Sequence, residues 1–217
     1  MLERILCIVI GYCFGLFQTG YIYGRLHGID IRTQGSGNAG TTNALRTLGK
    51  KAGAITFLGD VLKCAIAIGV GYLLVGRLHP EIATVLKFYT GVGVIVGHNY
   101  PFYLKFKGGK GIAASGGMML GLHPFFALLG IITFASAFTL THYVSVGSLF
   151  MYASFLIGVV VFGQLGYFHI PAEQLTEIYI IIALLTAEAY YKHIPNIKRL
   201  IHKEEGKIYL FKKPDND

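Results

Sequence analysis

Seven long apolar stretches dominate the chain, at residues 5–26, 52–75, 82–96, 112–122, 125–140, 146–167 and 175–189, with polar connections between them. An α-helix needs ~20 residues to cross ~30 Å of hydrocarbon, and in lipid only helices or closed barrels satisfy every backbone N–H and C=O. The stretches are continuous rather than alternating, so the expected fold is an all-α integral membrane bundle of seven transmembrane segments. A soluble fold is excluded: 53% of the 217 residues are apolar, 14% are charged, and mean hydropathy is +0.56. The first stretch is longer than the apolar core of a signal peptide and no small-residue cleavage site follows, which predicts a retained span. Cys7, Cys13 and Cys64 all lie in apolar stretches and are read as small core residues rather than a disulfide or metal cluster.

The fourth stretch is short, ~17 Å as a helix. It reads as a short or re-entrant helix, or as half of one rod kinked at His123-Pro124. Charge selects among the topologies. Lys and Arg exceed Asp and Glu by 19 to 11, a net +8, and cations collect on the cytoplasmic side of membrane proteins. Three regions are basic: 28–51 with Arg32, Arg46, Lys50 and Lys51, 97–111 with Lys105, Lys107 and Lys110, and the segment after Ala189 with seven Lys or Arg. The opposite connections hold Arg77 against Glu81, Glu173 and Glu177. If segments four and five together make two crossings or none, all three basic regions share one face. The expectation is seven segments, N-terminus outside and C-terminus inside, with a membrane domain at 1–197 and a basic cytoplasmic tail at 198–217.

On that inner face the polar residues fall into compact strings. The first is Gln34-Gly35-Ser36-Gly37-Asn38-Ala39-Gly40-Thr41-Thr42-Asn43, followed by Arg46. Closely spaced glycines let successive N–H groups converge on one anion, Ser36, Asn38, Thr41 and Asn43 add side-chain donors, and a helix starting near Thr42 would aim its N-terminus at the same place. The second runs from Gly97-His98-Asn99-Tyr100-Pro101-Phe102 to Gly108-Gly109-Lys110-Gly111-Ile112, a phosphate cradle in physical terms. It is not a nucleotide-hydrolysing loop, because Lys110 is followed by Gly111 instead of Ser or Thr. The third is Ser145 to Ser148, where Ser145 opens a segment on the active face and Ser148 reads equally as a helix cap. In the fourth, His193 and Asn196 stand three apart, with Pro195 fixing a turn that lets both face one pocket. Within the second stretch, Asp60 and Lys63 fit an ion pair facing the bundle that orders neighbouring loops.

Together, Gly35-Ser36-Gly37-Asn38-x-Gly-x-Thr-Asn43 with Arg46, Gly97-His98 through Pro101-Phe102 to Gly108-Gly109-Lys110-Gly111, and His193-x-x-Asn196 resemble the bacterial acyl-phosphate:glycerol-3-phosphate acyltransferases, in order and over nearly the whole chain. Asp60-Val61-Leu62-Lys63 also looks like a family segment. Cys64 stands where Gly is expected, and Ala113-Ala114-Ser115 is a milder departure. The resemblance implies a multi-pass enzyme of the bacterial inner membrane, active on the cytoplasmic face. It would transfer a fatty acyl group from acyl phosphate to the 1-hydroxyl of sn-glycerol 3-phosphate, giving 1-acylglycerol 3-phosphate and phosphate, the first acylation of phospholipid synthesis. The partners expected are those two substrates and the lipid bilayer, with a monomeric chain, no nucleic acid, no metal, no acyl-CoA and no cofactor.

On that reading Gly108, Gly109, Gly111 and Lys110 hold the acyl-phosphate group. Arg46, Ser36, Ser145, His193 and Asn196 hold glycerol phosphate and its hydroxyl, and Gly37, Asn38, Gly40, Thr41, Asn43 and His98 complete the substrate-binding set. None of the eight histidines has an Asp five places on, so no His-x4-Asp dyad is available. His193, with an ordinary pKa of ~6.5, is then the one plausible protein base, and the phosphate leaving group offers a second proton acceptor. Two other classes compete. A transporter of organic phosphate predicts paired discontinuous helices in two related halves, and no such repeat is present. A non-catalytic lipid-binding protein would use the basic tail but has no need of two glycine strings.

Overall fold

The structure is a computed structural model that describes residues 1–209. Among these residues every element is helical: α1 (Leu2–Gly15), α2 (Thr19–Leu26), α3 (Thr41–Leu74), α4 (Ala83–Asn99), α5 (Ile112–Leu122), α6 (Pro124–Thr141), α7 (Val144–Gln164) and α8 (Ala172–Ile201). Each of the seven stretches is mainly helix, the first interrupted at residues 16–18 and the sixth ending three residues early at Gln164. Four helical units, Leu2–Leu26, Thr41–Leu78, Pro124–Thr141 and Val144–Gln164, are long and apolar enough to cross a bilayer.

The first stretch breaks into α1 and α2 at Leu16–Gln18. The carbonyls released there are recaptured: Gln18 Nε2 donates to Gly15 O (3.1 Å) and to His98 O (3.0 Å), and Lys63 Nζ donates to Phe17 O (2.7 Å). Gln18 stands in the break itself, so the polar pair Gln18-Thr19 is its one trace in the sequence, whereas Lys63 of α3 and His98 of α4 come from elsewhere in the chain. The α3 helix starts at Thr41, one residue from the expected place, and bends at Gly49, whose φ of 85° is left-handed. Residues 41–48 thus form an arm ahead of the span, with Lys50 and Lys51 exposed at the hinge. α5 and α6 are separate helices and not one kinked rod. His123 between them is extended, its Nδ1 accepts from Phe125 N–H (3.1 Å), and Pro124 takes the first position of α6, where a missing N–H costs nothing.

The fourth string also differs from expectation. Pro195 lies inside α8, which runs unbroken to Ile201, so no turn separates His193 from Asn196. They share a face because they are one helical turn apart. At ~1.5 Å per residue, α8 is roughly 45 Å long and outreaches the hydrocarbon. A boundary at residue 197 cuts this helix, and residues 205–208 return to contact the bundle, so the tail drawn at 198–217 is no separate appendage through residue 208. Its end, with Lys212 and Lys213, lies outside the described residues.

The largest buried cluster joins Cys64 and Ile68 of α3, Phe88 and Ile95 of α4, Met118 of α5, Phe126 of α6, Tyr152 and Phe155 of α7 and Ile182 of α8. Glycine sets the closest approach: a Cβ at Gly11 or Gly15 would overlap the α4 backbone, and one at Gly93 or Gly97 would overlap the α1 backbone. In lipid, where apolar burial gives helices little reason to associate, such backbone contact is a main source of packing energy. Many of the 29 glycines therefore serve packing and not the polar strings. Leu62, Ile66, Leu128, Ile131, Ile157 and Leu184 face outward, as a lipid-facing surface requires. Cys7 and Cys64 are buried as expected, but Cys13 is exposed among these outward residues. At the end of the bundle away from the strings, Arg4 donates to Glu177 (2.5 and 2.8 Å) and Tyr89 donates to the same carboxylate (2.6 Å), tying α1, α4 and α8.

Candidate active site

The other end gathers the second, third and fourth strings. Lys110, in the last residues before α5, hydrogen-bonds through Nζ to Asn196 Oδ1 on α8. Asn196 Nδ2 in turn donates to Glu205 Oε1 (2.6 Å), Ser145 Oγ donates to the same oxygen (3.0 Å), and Arg199 Nε donates to Glu205 Oε2 (2.7 Å). Ser145 is the second residue of α7, so the carboxylate lies at a helix N-terminus, where backbone N–H groups favour negative charge. α5 begins two residues after Lys110, and the amides of Lys110 and Gly111 have no acceptor among the described residues. Two helix starts, a lysine and an arginine around one carboxylate can hold a phosphate-sized anion.

The charges respond to this setting. Burial pushes the Lys110 ammonium down to about 8, Arg199 and Lys192 add to the effect, and Glu205 opposes it. Burial alone would raise the Glu205 carboxyl, yet hydrogen bonds from Asn196, Arg199 and Ser145 hold it below its ordinary value. Glu205 was not legible as a site residue. Its one sequence signal is an acidic pair, Glu204-Glu205, in an otherwise basic segment.

His193 is buried one turn before Asn196, and its Nδ1 lies 2.7 Å from Ala189 O. A carbonyl only accepts, so the ring proton sits on Nδ1 and the lone pair is on Nε2, which has no partner among the described residues. Arg46, exposed on the α3 arm, donates to Gly206 O (2.9 Å), next to Glu205. The guanidinium of Arg32, by contrast, is engaged by Asp30 (2.8 and 3.0 Å), and those hydrogen bonds bring the Asp30 carboxyl down to about 2.

The remaining residues of the expected site make no hydrogen bond to this cluster among the described residues. Asn43 is buried, donating to Ile31 O and Gln34 O and accepting from Ser36 N–H (2.9, 3.0 and 2.9 Å), so it shapes the loop and presents nothing outward. Asn38 Oδ1 accepts from Gly40 N–H (2.9 Å), and Thr41 Oγ1 is buried without a partner among the described residues. Ser36 and Gly37 are exposed at the loop tip. Gly108 and Gly109 spend their amides on Asn99 O (3.2 Å) and His98 O (3.0 Å), so the open part of the cradle starts at Lys110. His98 lies beneath that loop, bonded to Lys63, and not beside a surface ligand. Ser148 caps nothing and donates within its own helix to Val144 O.

Such a fold and site define an integral membrane protein with a hydrogen-bonded polar cluster of mixed charge at one end of a helical bundle. The chain belongs to the glycerol-3-phosphate acyltransferase family, whose model matches residues 5–203. It is 44% identical to the glycerol-3-phosphate acyltransferase of Clostridioides difficile (strain 630), over 94% of this chain and 95% of that one. It is 38% identical to the enzyme of the same name from Bacillus subtilis (strain 168), over 94% and 96%. The crystal structure of PlsY (YgiH), an integral membrane glycerol 3-phosphate acyltransferase in its glycerol 3-phosphate form, superposes with a TM-score of 0.81 at 30% identity, covering 95% of this chain and 96% of that one. The lysophosphatidic acid form of PlsY gives 0.78 at 29%.

Proposed function

We propose that the protein transfers a fatty acyl group from acyl phosphate to the 1-hydroxyl of glycerol 3-phosphate, releasing 1-acylglycerol 3-phosphate and phosphate. It would act at the cytoplasmic face of the bacterial inner membrane as a seven-segment bundle with its N-terminus outside. The observation that carries this reading is the union of three separate strings in one hydrogen-bonded cluster, Lys110 with Asn196 and, through Glu205, Ser145. Family membership supplies the acceptor substrate. The absence of a His-x4-Asp pair favours a donor that brings its own good leaving group.

In the proposed step O1 of glycerol 3-phosphate attacks the acyl carbonyl, forming the ester C–O bond. Collapse of the tetrahedral intermediate breaks the bond to the phosphate oxygen, and the hydroxyl proton ends on the departing phosphate. Nε2 of His193, free as an acceptor, orients that hydroxyl. Lys110 and the start of α5 hold the acyl phosphate, while Arg46, Ser36, Ser145 and Asn196 hold glycerol 3-phosphate. Ser145 and Asn196 now bind Glu205, so the glycerol phosphate would share or displace those contacts.

The test is phosphate release by purified protein given palmitoyl phosphate and glycerol 3-phosphate. Release from both substrates together, lost in His193→Ala with folding retained, is the expected result. Product formed with palmitoyl-CoA alone would overturn the donor, and an inert wild type would overturn the chemistry.

A further inference from the structure

Beneath the 97–111 string lies a buried polar knot that the proposed chemistry leaves unused. Lys63 directs its ammonium at Phe17 O (2.7 Å), Asp60 Oδ1 (2.8 Å) and His98 Nδ1 (2.9 Å). Three acceptors take all three N–H groups of a lysine. Asp60 Oδ1 also accepts from Thr19 Oγ1 (3.1 Å). The side chains of Asp60, Lys63 and His98 are at most 5% exposed. Charges so placed in a membrane bundle are costly and call for a duty.

Their geometry gives one. With Nδ1 accepting from Lys63, the ring of His98 is fixed and its proton sits on Nε2. That far edge abuts Gly109, where a Cβ would overlap Nε2, Cδ2 and Cε1 of the ring. The backbone of His98 holds the same residue, since Gly109 N–H donates to His98 O (3.0 Å), which Gln18 also engages (3.0 Å). Lys110 is the next residue, and α5 starts just beyond it.

We propose that Asp60, Lys63 and His98 are positioning residues for the reaction. Asp60 holds Lys63, Lys63 locks the His98 ring, and the ring sets Gly109 and with it Lys110 and the α5 N-terminus against the bound acyl phosphate. The inference rests on the assignment of that loop to acyl phosphate given above. It also explains why residue 109 is glycine although its φ is not left-handed.

The experiment replaces both charges at once, Asp60→Leu with Lys63→Met, because removing one would strand the other in an apolar interior. In folded variant, KM for palmitoyl phosphate should rise roughly ten- to a hundredfold, while KM for glycerol 3-phosphate stays within about twofold of wild type. A purely structural role would instead lower the active fraction and leave both constants alone. A rise confined to glycerol 3-phosphate supports positioning and overturns the assignment of the loop to acyl phosphate; two unchanged constants overturn the proposal. Should the double variant not fold, Gly109→Ala decides, because its lost activity should return in part when His98→Ala clears space for the new methyl, and no recovery overturns the proposal. Independently of turnover, ¹⁵N spectra of histidine-labelled protein should show the His98 proton on Nε2. A proton on Nδ1 overturns the lock even if the enzyme proves to do other chemistry.

Discussion

In the 34–43 string the polar side chains turn in on their own loop, whereas the 97–111 string is bound to α4 by the amides of Gly108 and Gly109 and leaves those of Lys110 and Gly111 open. Asn43 joins Ile31, Gln34 and Ser36, and Asn38 joins Gly40, before any ligand is considered. Gly108 and Gly109 lie along the end of α4, and Lys110 reaches across to Asn196 on α8. Both strings carry several glycines and lead into a helix, although the second also holds aromatic residues and lysines. What separates them is the partner within reach: a loop closing on itself finds its own carbonyls, while one between two long helices is anchored by those helices and keeps its end free. Glycine-rich loops ahead of a helix thus yield a self-supporting loop in one place and a loop with open amides at Lys110 and Gly111 in the other.

Lys110→Ala should break the open string most severely, lowering kcat/KM by about a thousandfold with an unchanged unfolding temperature in detergent. Ser36→Ala probes the exposed tip of the first string, the part not consumed by its own loop, and should cost roughly ten- to a hundredfold in kcat/KM; wild-type rates would make that string wholly structural. Asn43→Ala should act on stability, removing three hydrogen bonds of a buried side chain for about 3 kcal/mol and lowering the unfolding temperature, with the KM of surviving enzyme unaltered. A changed KM with unchanged melting would merge the two strings' roles.

The smallest effect expected is on pH dependence. Lys110 loses its proton near 8 because it is buried, and the charged form is the one that attracts a phosphate. KM for acyl phosphate should therefore be lowest below that pH and rise several-fold by about pH 9. Lys110→Arg keeps its charge throughout, so a pH profile of the same shape in that variant would remove Lys110 as the cause.

Much of the fold was legible because hydropathy is a local sum and crossing lipid is a local requirement. Each stretch became helix, and α5 spans the residues expected of it, Ile112–Leu122. Illegible features depend on groups far away in the chain. The break between α1 and α2 carries a local mark in Gln18 but also needs Lys63 and the end of α4, and the passage of α8 through Pro195 needs a helix long enough to carry it past the membrane. In the site, Lys110, Asn196 and Ser145 stood out as polar residues in glycine-rich or turn-like settings. Glu205 did not, since an acid in a basic tail looks solvated until its partners are placed.

The sequence by itself determined that this chain lives in lipid, where its helices run, and that its polar strings collect at one end of them, because apolar length and charge bias act through nearest neighbours. Only the tertiary structure decided which glycines press helices together, which polar side chains are spent inside their own loop, and that a glutamate completes the cluster around Lys110. The cluster turns on contacts between residues far apart in the chain, 86 positions for Lys110 and Asn196 and 60 for Ser145 and Glu205, and such contacts exist only once the chain is folded.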